Sequence, residues 1–280
     1  MIDFNTSATL IYLLSIICCI IAGPLNIRLL YFYGLNQSNK KTQFGLFLIT
    51  SSFQSIFNIF FIPYAVTALL AIHTVITDWH DALFWIGNIT YSAAMAVTST
   101  NSFLVVDRLL AINAPFMYRK YAHTFKLFSL VVLMFLFGAF FASSYIYWTY
   151  SGDALPMFSS MIKTGTFLRL YFGTGCICLM NVVMTVWLLL AVKRYMLTRP
   201  LNASKSLNMA NLLVVYQSLM EVALIVIPNI TTPIINSYFQ INVLSIVGPY
   251  PALFRSLHTM ICAVLWNVKI KKIESNVAST

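Results

Sequence analysis

The chain has 280 residues, 60% of them hydrophobic and 9% charged, with a formal net charge of +10 and a mean hydropathy of +0.83. Soluble domains carry about 25% charged residues, so this composition excludes a cytosolic globule, and its abundance of hydrophobes excludes a disordered chain. The basic excess sits in short clusters between long apolar runs, not on one polar face, which argues against a nucleic-acid surface and makes the lipid bilayer the solvent.

A spanning helix needs about 20 mostly apolar residues. Seven stretches qualify, at approximately 7–33, 44–70, 82–112, 127–148, 166–192, 208–235 and 242–268. They are too long for barrel strands and do not alternate, so the expected fold is an all-α membrane protein. The architecture is a seven-transmembrane helix bundle, a single domain over residues 1–280 with only short connectors. The first run has no basic residue before its apolar core and exceeds a signal's apolar region, so it reads as a retained helix.

Loop charges set the orientation. One set of connectors and the tail hold Lys40, Lys41, Arg119, Lys120, Lys126, Lys193, Arg194, Arg199, Lys205, Lys269, Lys271 and Lys272. The other set holds Lys163 as its basic residue, beside Asp3, Asp78, Asp81 and Asp153. The N-terminus is therefore expected outside and the C-terminus in the cytoplasm. Trp79, Trp85, Trp148 and Tyr150 fall near outer helix ends, where amphipathic rings prefer the headgroup region. Asn5-Thr6-Ser7 forms a sequon in the outer tail, making Asn5 a candidate glycosylation site. The five cysteines lie inside apolar runs, without metal-ligand spacing, and read as small apolar fillers. Neither a metal nor a cofactor is expected.

Ionisable side chains inside a span cost several kcal/mol unless paired, which makes each a functional candidate. Glu221 lies midway along the sixth span, and Arg255 and His258 near the middle of the seventh, one turn apart on one face. Their depths agree at about 20 Å, from a rise of about 1.5 Å per residue. The sequence predicts a Glu221–Arg255 ion pair joining the two helices, either structural or part of an activation-sensitive lock. No lysine lies within the seventh span, so a retinal Schiff base is excluded, because a guanidinium cannot form one. Pro63, Pro228 and Pro233 are expected to kink the second and sixth helices. Nothing in the chain suggests catalysis: there is no zinc helix of the H-E-x-x-H type and no Ser-His-Asp arrangement.

The third span closes with D-R-L-L-A-I-N-A-P-F-M-Y, from Asp107 to Tyr118. Asp107 can neutralise Arg108 while the bundle is closed, and an opened bundle frees the guanidinium for the backbone carbonyls of an inserted helix. Pro115 is expected to end the helix. This segment resembles the signature of rhodopsin-like G-protein-coupled receptors through Asp107, Arg108, Ala111, Ile112, Pro115 and Tyr118, with Leu109 in place of the usual Tyr. Within that superfamily the chain is most similar to the nematode serpentine chemoreceptors, class BC (Srbc) in particular. That likeness rests on the D-R-x-x-A-x-x-x-P motif, on Val247 to Tyr250 (V-G-P-Y), and on compact length. The usual disulfide cysteines, the second-helix acid and the N-P-x-x-Y motif of the common receptor pattern are missing.

The resemblance implies a G-protein-coupled chemoreceptor in the plasma membrane, in family terms the ciliary membrane of sensory neurons. Its partners would be an external small-molecule ligand, the lipid bilayer and a cytoplasmic heterotrimeric G protein, with no nucleic acid. Asp107, Arg108, Pro115, Tyr118, Lys193 and Arg194 would serve coupling, exposed by an outward swing of the sixth helix. A ligand pocket would lie between the outer halves of the third, fifth, sixth and seventh helices, with Tyr91, Met95, Phe172, Asn229, Thr232 and Tyr250 as candidate linings. Two rivals also carry seven spans: a small-solute transporter of three-plus-one-plus-three architecture, and a ligand-gated channel with a cytoplasmic N-terminus.

Overall fold

The computed structural model describes residues 4–35, 45–149, 156–198, 205–240 and 243–278. Phe44 and Asn242, where two predicted spans begin, and Lys40, Lys41 and Arg199 of the basic set lie outside the described residues. Seven long helices account for nearly all of the described chain. They are α1 (Phe4–Leu35), α2 (Gly45–Ile72), α3 (His80–Asn113), α4 (Pro115–Ile146), α5 (Thr164–Thr198), α6 and α7 (Tyr250–Ala278). The sixth is built in three consecutive pieces: Lys205–Glu221, a π-helical segment Val222–Val226, and Ile227–Phe239. Among the described residues six of the seven are long and apolar enough to cross a bilayer; α7, with Arg255 and His258 in its first third and a lysine-rich end, is more polar than those six.

Three predicted boundaries are corrected, one of them the end of α7, which lies at Ala278 and not at 268 and so takes Lys269, Lys271 and Lys272 into the helix. The fourth helix begins at Pro115 and not at 127, so Arg119, Lys120 and Lys126 belong to its first turns and not to a connector. Hydropathy misses this basic stretch. Pro115 itself starts the helix, since a first-turn proline gives up a donor that would have no intrahelical partner anyway. Only Ala114, with φ −136° and ψ 62°, separates α3 from α4. The seventh helix begins at Tyr250 and not at 242, after a separate helical turn Val243–Val247. Gly248 breaks the run with φ +89°, and an added Cβ there would stand 3.2 Å from Ala8 of α1. Only glycine suits both the conformation and the approach.

Helix α3 is central, in contact with α2, α4, α5 and α6, while α1 packs on α2 and α7. Its interior face is made of small and polar residues, among them Ala93, Ala96, Thr98 and Ser102, which let neighbouring backbones approach. Hydroxyls within the described helices mostly donate to the carbonyl one turn back, as Thr50 does to Leu46 (2.9 Å) and Ser129 to Phe125 (2.8 Å), which satisfies them inside their own helix. The apolar core lies in two main clusters, one at each end of the bundle. Leu104, Leu109, Leu188 and Trp266 pack near Arg108, and Phe57, Phe61, Phe84 and Phe158 at the opposite end.

Candidate functional site

At one end, the last turns of α3 bury Asp107 and Arg108, with 1% and 0% exposure. Arg108 donates from Nε to Asp107 Oδ2 at 3.0 Å, and its Nη2 makes a second contact with the same oxygen. Tyr118, in the first turn of α4, closes the group. Its hydroxyl donates to Asp107 Oδ2 and accepts from Arg108 Nη2, each at 3.2 Å. The sequence motif thus folds into a three-membered latch between two helices, with Pro115 setting the start of the second. Two charges taken out of water need such partners, and removal of one leaves the other stranded. Lys193 and Arg194 lie exposed on α5.

Mid-bundle, the structure corrects the predicted Glu221–Arg255 ion pair. Among the described residues the two make no direct contact of that kind; each has a neutral partner. Glu221 accepts from Asn181 Nδ2 of α5 at 3.1 Å. Arg255 Nη1 donates to Thr98 Oγ1 of α3 at 2.6 Å. Asn181 also donates to the Thr98 carbonyl at 3.1 Å and accepts from Ser102, while Gln217 donates to Asn101. Equal depth placed Glu221 and Arg255 on one level, but α3 and α5 interpose amides and hydroxyls between them. His258 belongs to the same buried layer, with Nε2 3.6 Å from Cys262 Sγ. The π segment follows Glu221 directly; there the Ile227 N–H reaches Val222, five residues back. Such segments interrupt helices where a local shift in winding is useful.

The opposite end is closed by a residue that hydropathy could not single out. Phe158 comes from the connector between α4 and α5, yet it is fully buried. Its ring stacks on Tyr91 at 4.8 Å with an 11° tilt and lies 5.9 Å from Phe84, and its N–H donates to Tyr64 Oη at 3.0 Å. Gly87 makes the space, since an added Cβ would fall 2.8 Å from the Phe158 ring. The connector is pinned by Thr149 N–H donating to Met161 O (2.9 Å) and Lys163 N–H donating to Tyr147 O (3.0 Å), around a Trp148–Ile162 bridge. This end is a lid of stacked rings. A Phe among turn residues reads as loop, and its burial comes from long-range packing.

Of the six predicted lining residues, Tyr91 forms part of this cage and Met95, one turn below, accepts from Thr174 Oγ1 at 3.4 Å through its sulfur. Thr232 and Tyr250 meet through their hydroxyls, joining α6 to α7, and Asn229 is half-buried. Phe172 is corrected: it is 73% exposed on α5, away from the bundle interior. Its depth was suitable, but its face was not. Asn5 is exposed in the first turn of α1, where its carbonyl accepts from Thr9 at 2.6 Å. Among the described residues no group of three His, Cys, Asp or Glu side chains could hold a metal.

A comparison with curated proteins returned no match. Among known families, residues 4–159 match the one described as Serpentine type 7TM GPCR chemoreceptor Srbc, a stretch that takes in the Asp107–Arg108–Tyr118 latch and ends just past Phe158.

Proposed function

The chain belongs to the Srbc family of serpentine seven-transmembrane chemoreceptors, and on that premise we propose that it detects an external small molecule and signals to a cytoplasmic heterotrimeric G protein. It is a multi-pass membrane protein. In this reading the N-terminus and the Phe158 lid face outward, as the loop charges favour, and the Arg108 end faces the cytoplasm, in the plasma membrane or its ciliary extension. The ligand sits beneath the lid among Tyr91, Met95, Asn229, Thr232 and Tyr250.

The observation that carries the proposal is the latch. Arg108 is held by a carboxylate on its own helix and by a phenol on the next, both through bonds that end on Asp107 or Tyr118. The tyrosine bonds, at 3.2 Å, are at the long end of the hydrogen-bond range, so a small displacement of α4 against α3 breaks them. With Tyr118 withdrawn, Arg108 is left with Asp107 of its own helix as carboxylate partner, and the open side of the guanidinium offers its donors to the carbonyl end of a partner helix. Lys193 and Arg194, exposed on α5, add positive potential that attracts an acidic partner. Between the two ends, the amide and hydroxyl chain through Thr98, Asn181 and Glu221 couples α3, α5, α6 and α7. On α3, Thr98 lies about 10 Å below Tyr91 and about 15 Å above Arg108 at a rise of about 1.5 Å per residue.

The test is a ligand panel applied to cells that express the full chain, with a G-protein activation readout and surface abundance measured in parallel. Arg108→Ala is expected to reach the surface and abolish the response. An unchanged response in that variant would overturn the coupling role.

A further inference from the structure

At the Arg108 end a cavity of about 470 Å3 opens between the last turn of α3 and α5. Ile112 and Asn113 line it from α3, and Trp187, Leu190, Arg194 and Tyr195 from α5. The spacing of 187, 190 and 194 puts those three on one face of α5. Trp187 and Leu190 are 55% and 52% exposed, so the cavity opens sideways toward the acyl chains and not into the bundle; Tyr195, at 9%, forms its back wall. From Arg194 to Trp187 the groove runs about 10 Å along the helix at a rise of about 1.5 Å per residue. Its Arg194 end is therefore charged, at headgroup level, and its Trp187 end apolar, at chain level. The volume falls within the range of about 300–1,000 Å3 that suits small-molecule sites.

A lipid-facing groove in a bilayer is filled by lipid, and the charges around it select which one. Lys193 beside Arg194 on α5, and Arg119 and Lys120 in the first turns of α4, are all exposed, and neither 113–126 nor 187–205 contains an acidic residue. We infer that this groove binds one anionic phospholipid of the adjacent leaflet. Arg194 and Asn113 hold the headgroup, and one acyl chain lies along Trp187 and Leu190. Ile112 is one turn from Arg108, so the bound lipid wedges α3 against α5 beside the latch. The inference shares Arg194 with the proposed coupling surface, but its test reads contact with lipid and needs neither ligand nor G protein.

Fluorescence quenching tests it. The full chain is placed in nanodiscs of phosphatidylcholine containing equal mole fractions of brominated phosphatidylserine or brominated phosphatidylcholine. Trp187→Phe separates the emission of Trp187 from that of the other tryptophans. The Trp187-dependent emission is expected to be quenched at least about twofold more by the serine lipid, given the attraction of clustered basic residues for anionic headgroups. Arg194→Gln is expected to bring the two lipids level, and soluble glycerol phosphate is expected not to compete. Equal quenching by both lipids in the wild type, a preference that survives Arg194→Gln, or competition by glycerol phosphate would each overturn the inference.

Discussion

Helices α3 and α4 are joined through a single residue, yet they follow opposite rules. Along α3 mean hydropathy is 1.2 and 72% of its spanning window is buried; along α4 the values are 2.3 and 11%. In water the more apolar helix would be the inner one. Here the inner helix carries Ser, Thr, Asn and Ala and the outer one carries Phe, Leu and Met, because lipid receives apolar side chains as readily as a core does. What distinguishes the interior of this protein is small size and internally satisfied polarity, and those are the properties of the residues that connect its two ends.

That contrast can be broken most severely at the latch on the inner helix. Asp107→Ala leaves Arg108 buried without its carboxylate, and the expected destabilisation is about 3–5 kcal/mol by denaturant titration of the purified chain in mixed micelles. A loss below ~1 kcal/mol would mean that the carboxylate is dispensable to the fold. A milder insult is Ala96→Leu, which forces three extra carbons into a site with 0% exposure. Overpacking of this kind is expected to cost about 1–3 kcal/mol in the same titration. On the outer helix, Val131→Ala trims a side chain that is 60% exposed to lipid, and the expected change stays within about 0.5 kcal/mol. If Val131→Ala cost as much as Ala96→Leu, α4 would be packed against something other than lipid, and the contrast between the helices would fail.

The sequence made the bundle and the Asp107–Arg108 pairing legible, though not the bonds from Tyr118 that complete the latch, and the reason is locality. Seven apolar runs need no tertiary information, and Asp107, Arg108 and Tyr118 lie within twelve residues, so their meeting depends on one proline-started turn. Errors arose wherever a face had to be chosen. Glu221 and Arg255 share a depth, but depth fixes only the axial coordinate, and the structure turns each toward an amide or hydroxyl of another helix. Phe172 failed in the same way, at the right level on the wrong side. The charged turns of Pro115–Lys126 were lost to a loop because hydropathy measures affinity for lipid and not helicity. Phe158 had no local signal at all: the glycine that admits its ring and the tyrosine that receives its N–H sit on α3 and α2, far away in the chain.

The π-helical turn at Val222–Val226 bears on how the chain tolerates change in length. A residue dropped from an ordinary stretch of α-helix rotates everything beyond it by about 100°, since 3.6 residues make a turn. This turn already holds one residue more than the ordinary winding, so a deletion there would tighten it into register and leave Glu221 and Thr232 on their present bearings. The upper part of α6 is thus indexed to the lower part through an adjustable joint, and twisting about the axis is a motion available to it alongside tilting.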